Sequence, residues 1–162
     1  EIVNYWSPEQ LAEVLTGYGE EQFSAQIARG IVDARQRGVI TRTSELVEII
    51  KQSVPHWYSS PARRTHCATK TFQALRMATN DELDVLAVGL EKAFAVLAPG
   101  GRLAVISFHS LEARLIKNFF KNKKLAGAGE ILTKHAIKPA RAEVLANRRT
   151  RSDQLRVIKK LS

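Results

Sequence analysis

A single cysteine, Cys67, stands in the sequence, so no disulfide can form within the chain. No run of about 18 apolar residues occurs, so hydropathy indicates no membrane span. A basic-then-apolar leader is also lacking, and Glu1-Ile2-Val3-Asn4 reads like the interior of a longer protein. These absences lead to the expectation of a cytoplasmic protein with no membrane partner. Two further absences bear on chemistry. His66-Cys67 has no second pair of ligands at metal-binding spacing, so no zinc site is expected. No glycine-rich loop lies between a strand and a helix, where a phosphate-cradling turn would have to be. There is no internal repeat and no low-complexity tract.

What is present is apolar material and positive charge. Hydrophobic residues make up 44% of the 162, enough for one ordinary domain or a small domain with part of another. The net charge is +9, and it is unevenly placed. Residues 1–55 carry five Lys and Arg against eight Asp and Glu, whereas residues 102–162 carry fifteen against four. That asymmetry points to a polyanionic partner, with nucleic acid foremost, although a basic face also serves solubility.

The front of the chain reads as short amphipathic helices. Ser7-Pro8-Glu9-Gln10 is a helix start with a capping residue, a proline at the first position and a capping-box glutamine. A second helix is expected over about 20–37, with Phe23, Ile27 and Ile31 inward. A third follows Thr41 or Thr43 and runs until Pro55. Residues 56–67, HWYSSPARRTHC, break the pattern. Their rings beside Arg63 and Arg64 suit RNA stacking and phosphate contact, or else anchor a surface loop. Helical spacing resumes near Ala68, leaving Lys70, Gln73 and Arg76 for another surface. Asn80 or Asp81 is placed to cap one more helix.

Pro99-Gly100-Gly101 then makes a turn into a strand whose residues 103–108 are apolar. The strand is apolar on both faces, Ser107 excepted, as expected of a strand sandwiched between helices. His109, Ser110 and Glu112 sit where it passes into an amphipathic helix. Ligands of open α/β sheets bind outside the carboxyl ends of strands, so this corner is the first candidate site. The helix–turn–strand–helix order implies an α/β fold. Short strands are expected near 131–133 and 155–158. NRRTRS, residues 147–152, is a basic loop. So few strands make a small sheet for an α/β domain.

EIVNYWS, YGEEQFSAQIARGIVDAR, THCATKTFQALRMATNDEL, PGGRLAVISFHSLEARLIKNFF and NRRTRSDQLRV resemble, in order, successive blocks of the bacterial 16S ribosomal RNA cytosine-N4 methyltransferase family. The resemblance implies a class I, Rossmann-like methyltransferase fold with an all-helical inserted domain. On that reading residues 1–78 are the inserted domain, thought to help recognise RNA. Residues 79–162 are then the C-terminal part of the Rossmann-like domain, with 102–108 its fifth strand. The resemblance further implies S-adenosylmethionine as cofactor and 16S ribosomal RNA or the small ribosomal subunit as partner. The family's Gly-Gly-His-Ser cofactor loop, acidic ribose position and Ser-Ser-Pro segment lie before the region matched. No cofactor-binding residue is therefore carried over, and the chain alone is expected to be inactive, awaiting the N-terminal half of the same domain.

The sequence departs from the family at Cys67 and Arg148, where proline is usual, at Lys70 for arginine, and at Ala113 for aspartate. Lys70 keeps the charge but lacks the planar two-pronged fork of arginine. Methylating cytosine N4 needs acceptors for the amine N–H groups and in-line placement of a base that is unpaired or flipped out. His109 or Ser110 is the candidate contact to that base, with Glu112 beside them. Alternatively, Ser110 caps a helix beginning at Leu111 and Glu112 favours its positive end. Lys70, Gln73, Arg76, Arg149 and Arg151 are candidate RNA-phosphate contacts or ordinary surface charge. A non-catalytic RNA-binding module is the competing function. For the chain alone, residues 102–108 are expected to expose an unpaired apolar edge, which favours a homodimer or pairing with an upstream fragment.

Overall fold

Why the front of the chain is helical is visible in its caps. The computed structural model describes residues 1–63 and 65–162 and divides them into two units, Glu1–Asn80 and Asp81–Ser162. In the first unit, α1 (Ile2–Tyr5) leads to α2 (Pro8–Gly17), where Ser7 and Gln10 form the expected reciprocal capping box. The next helix, α3 (Ser24–Arg35), begins later than its periodicity suggests, because Glu20 takes a left-handed φ of 49° and breaks the chain there. Then α4 (Thr43–Ser53) starts with the Glu45 carboxylate accepting the Thr41 and Arg42 N–H groups. Those donors hold the Glu45 carboxyl below its usual pKa. A single turn, α5 (His56–Ser59), and α6 (Thr69–Asn80) complete the unit.

The apolar stripes of these helices converge on Leu11, Leu15, Ile27, Ile31, Ile50 and Ala74, all fully buried. Two long-range polar ties close the shell. Asn4 exchanges hydrogen bonds with the Ile40 backbone at 2.9 and 3.0 Å, and the Arg35 guanidinium donates to the Val3 and Trp6 carbonyls. Such pairing satisfies backbone groups left over at the short helix end.

Within residues 56–67, Tyr58 anchors the segment. It is buried, and its hydroxyl donates to the buried Glu21 carboxylate. Trp57 beside it is 60% exposed. The Arg63 guanidinium lies 3.9 Å from the Tyr58 ring centre and 5.9 Å from that of Trp57. Arg64 lies outside the described residues.

The second unit is mixed α/β. After α7 (Glu82–Ala95) come β1 (Arg102–Ser107), α8 (Ser110–Leu125), β2 (Gly129–Ile131), α9 (Arg141–Ala146), a 3-10 turn (Arg148–Ser152) and β3 (Gln154–Lys160). The sheet is antiparallel with order β1-β3-β2, and Leu103 pairs with Ile158 and Ser107 with Gln154. Gly100, at φ 83°, turns the chain so that its N–H and the Gly101 carbonyl extend the ladder onto Lys160. Leu90, Phe94, Ile116, Phe119, Phe120 and Ile158 form the core against one sheet face.

The expectation that β1 is buried on both faces is not met. Its residues alternate, with Arg102, Ala104 and Ile106 exposed and Leu103 and Val105 turned to the core. Among the described residues β1 pairs only with β3, so it is an edge strand, as expected of the chain taken alone. Ile106 is 54% and Phe108 60% exposed. Register places Leu155 and Val157 on the same face as Ile106 and Ala104. No described helix is long and apolar enough to cross a membrane.

Candidate functional site

Where β1 ends, the chain turns through Phe108 and His109 into α8. The helix begins at Ser110, one residue earlier than a Ser110 cap would allow, and His109 is the capping residue. This corrects the expected local role of Ser110. His109 takes extended backbone angles, φ −145° and ψ 170°, and its Nδ1 accepts the Glu112 N–H at 3.4 Å. Glu112 reaches back, its Oε2 accepting the Phe108 N–H at 2.7 Å and the His109 N–H at 3.3 Å. A carboxylate is favoured there by the positive end of the helix.

The remaining atoms of the pair face each other. His109 Nε2 lies 3.2 Å from Glu112 Oε1, but the alignment does not make a hydrogen bond, and Nε2 is buried without one. Since Nδ1 acts as an acceptor, the neutral imidazole carries its proton on Nε2. The corner therefore presents a nearly buried N–H donor beside a carboxylate oxygen with spare accepting capacity.

Glu82, His109 and Glu112 bring one potential ligand atom each within 4.8 Å of one another. A cation there would take the Nε2 lone pair and push the proton to Nδ1, against the Glu112 N–H. The cap thus suits proton holding better than metal binding.

The basic loop lies at the same end of the sheet. Asn147 Oδ1 accepts the Arg149 N–H at 3.1 Å, shaping the 3-10 turn that carries Arg149 and Arg151, both exposed. That turn runs directly into Gln154, the register partner of Ser107, two residues before His109. Sequence reasoning missed two neighbours, Glu82 on α7 and Asp153. Asp153 follows this turn, immediately before Gln154 of β3, and among the described residues its buried Oδ1 has no hydrogen-bond partner. Its only sequence signal was a lone acid in a basic run.

Lys70, Gln73 and Arg76 belong to the helical unit, all on α6. Lys70 Nζ donates to the Glu20 carbonyl at 2.7 Å, and Gln73 Nε2 approaches the Tyr18 carbonyl at 3.4 Å. Both brace the α2–α3 connection, while Arg76 is exposed.

The Gly100-Gly101 turn precedes a strand, its Gly100 N–H and Gly101 carbonyl pair with Lys160, and the Gly101 N–H donates to the Ala98 carbonyl, so this turn is not shaped as a phosphate cradle.

The comparisons agree with one another. The model of the MraW methylase family matches residues 1–161. Ribosomal RNA small subunit methyltransferase H of Coprothermobacter proteolyticus is 47% identical over 160 residues, 99% of this chain and 52% of that protein. The protein of the same name from Symbiobacterium thermophilum is 44% identical over 177 residues, covering 99% of this chain and 54% of its own length. The chain thus spans about half the length of the curated relatives it matches.

Proposed function

This chain belongs to the MraW methylase family, and we propose that it supplies the RNA-facing wall of a ribosomal RNA methyltransferase. The reaction is transfer of a methyl group to the N4 amine of a cytidine in 16S ribosomal RNA, in the cytoplasm. S-adenosylmethionine is the methyl donor in this reading. The Gly100-Gly101 turn does not cradle it, and in this reading the chain alone is inactive.

The observation that carries the proposal is the His109–Glu112 pair at the end of β1, with Arg149 and Arg151 at the same end of the sheet. The Nε2–H of His109 donates to an acceptor on the base edge. The carboxylates of Glu112 and Asp153 offer oxygen atoms to the amine N–H groups. Holding the base this way supplies orientation, which can lower a barrier by roughly 7–11 kcal/mol in favourable cases. Arg149 and Arg151 hold the flanking phosphates. The helical unit is the RNA-recognition domain, and the antiparallel order β1-β3-β2 supports reading the sheet as the C-terminal part of a Rossmann-like one.

The test is nucleoside mass spectrometry of small-subunit RNA treated with the full-length protein and S-adenosylmethionine. N4-methylcytidine is the expected product, and methylation of any other atom would sink the reading. Calorimetric titration of this chain alone with S-adenosylmethionine should show no binding. A non-catalytic RNA-binding module is the second reading, favoured by the exposed Arg149 and Arg151, and absence of any methylation would select it.

A further inference from the structure

We infer that Trp57 is a stacking platform for one unpaired RNA base, a contact that rests on the ribosomal RNA reading above and adds a recognition site to the helical unit. The argument starts from an exposed ring that is nevertheless fixed. Trp57 is 60% exposed, yet Phe23 meets it at 5.8 Å with planes at 66° and Tyr58 at 5.7 Å with planes at 90°. Tyr58 is itself immobilised by Glu21 and by Phe23 at 4.8 Å. Arg63 donates to the Tyr58 carbonyl at 3.2 Å and lays its guanidinium along the rings. The ring has therefore lost its rotamer freedom before any ligand arrives, which lowers the cost of stacking on it.

The surroundings select the ligand. No Asp or Glu occurs between Glu48 and Asp81, while Lys51, Arg63, Arg64, Lys70 and Arg76 do. The buried Glu21 carboxylate is engaged by Tyr58. The exposed residues flanking Trp57 in the chain are Pro55, His56, Pro61, Ala62, Arg63, Thr65 and His66, in which cationic and polar groups alternate with small apolar ones and no large apolar side chain joins the indole. A protein partner that buried Trp57 would meet those charges without an apolar surround. A nucleotide matches both parts, with its base on the indole and its phosphate on the guanidinium.

The test compares the chain and its Trp57→Ala and Trp57→Phe variants by fluorescence anisotropy. The probes are a labelled single-stranded oligocytidine and an abasic oligomer of the same length. Trp57→Ala should weaken oligocytidine binding roughly tenfold and leave the abasic probe unaffected, while Trp57→Phe keeps most of the affinity. Circular dichroism of each variant establishes folding, and Trp57→Leu, which keeps apolar bulk but has no π face and should lose oligocytidine affinity as Ala does, carries the comparison if the Ala variant unfolds. Equal affinity of the Ala variant for oligocytidine, or equal loss on both probes, overturns the platform while leaving the RNA reading intact. Failure of the unmodified chain to bind either probe overturns both.

Discussion

The Tyr58 hydroxyl lies 2.9 Å from Oε1 and 2.8 Å from Oε2 of Glu21, a buried hydrogen bond that joins residues 37 apart in the chain. Glu21 is only 2% exposed, and besides Tyr58 its carboxylate accepts the Phe23 N–H at 3.1 Å. Tyr58→Phe removes the main donor and strands a buried charge. The expected cost is about 1.5–3 kcal/mol, read from urea unfolding. An unchanged midpoint would mean that Glu21 is not held as described.

The same pair makes stability depend on alkaline pH. Burial first, and the Glu21 hydrogen bond second, push the Tyr58 phenol up to about 12 from 10.0. In the unfolded chain the phenol ionises near 10, so the unfolded state loses its proton first. The contribution is complete below pH 10 and is lost as pH rises towards 12. Urea midpoints across that window should fall more steeply for the unmodified chain than for Tyr58→Phe.

At the corner, capping and chemistry can be separated by one substitution. Asparagine is a good N-cap, so His109→Asn in the full-length protein keeps a side-chain acceptor for the Glu112 N–H and removes Nε2. Thermal stability should stay within about 1 kcal/mol of the parent, and methyl transfer should fall by roughly a hundredfold, the scale of a reacting group held out of position. Full activity would leave His109 as a helix cap only.

Arg149 and Arg151 are exposed on the turn that leads to Gln154. Replacing both with Gln should flatten the dependence of log K on log salt by about 1.4 for single-stranded RNA, two phosphates at roughly 0.7 each. Filter binding at several salt concentrations measures it. An unaltered slope would take both residues off the interface.

The open edge and face of β1 predict self-association of the isolated chain. Ala104, Ile106, Leu155 and Val157 share the face away from α8, and β1 pairs on one side only. Sedimentation velocity should show concentration-dependent oligomers that Ile106→Lys suppresses, since a charge on this exposed apolar face opposes its burial against a second copy. A monomer at all concentrations contradicts this.

Much of the local structure was legible because it depends on neighbours in sequence. The Ser7–Gln10 cap, the turn at Gly100 and the positions of β1 and β3 follow from residue chemistry within a few positions. Helix starts were read less well. The left-handed backbone at Glu20 shortens α3, and at Asp81 a similar φ of 49° precedes α7 without a side-chain cap. Neither conformation has a signature as firm as glycine.

By itself the sequence determined the helical front, the α/β back, the concentration of basic charge and the identity of the corner residues. Its blocks also carried the family, because order and spacing of motifs survive without coordinates. Tertiary structure decided which side chains are available. Lys70 and Gln73 look alike on a helical wheel, yet both brace a distant connection. His109 rather than Ser110 caps α8, because the strand delivers the chain to the helix one residue early. Trp57 and Tyr58 are adjacent, but Glu21 lies where it can hold only the tyrosine, leaving the tryptophan in water. Burial and pairing are set by groups far away in the chain, and no local pattern encodes where those groups arrive.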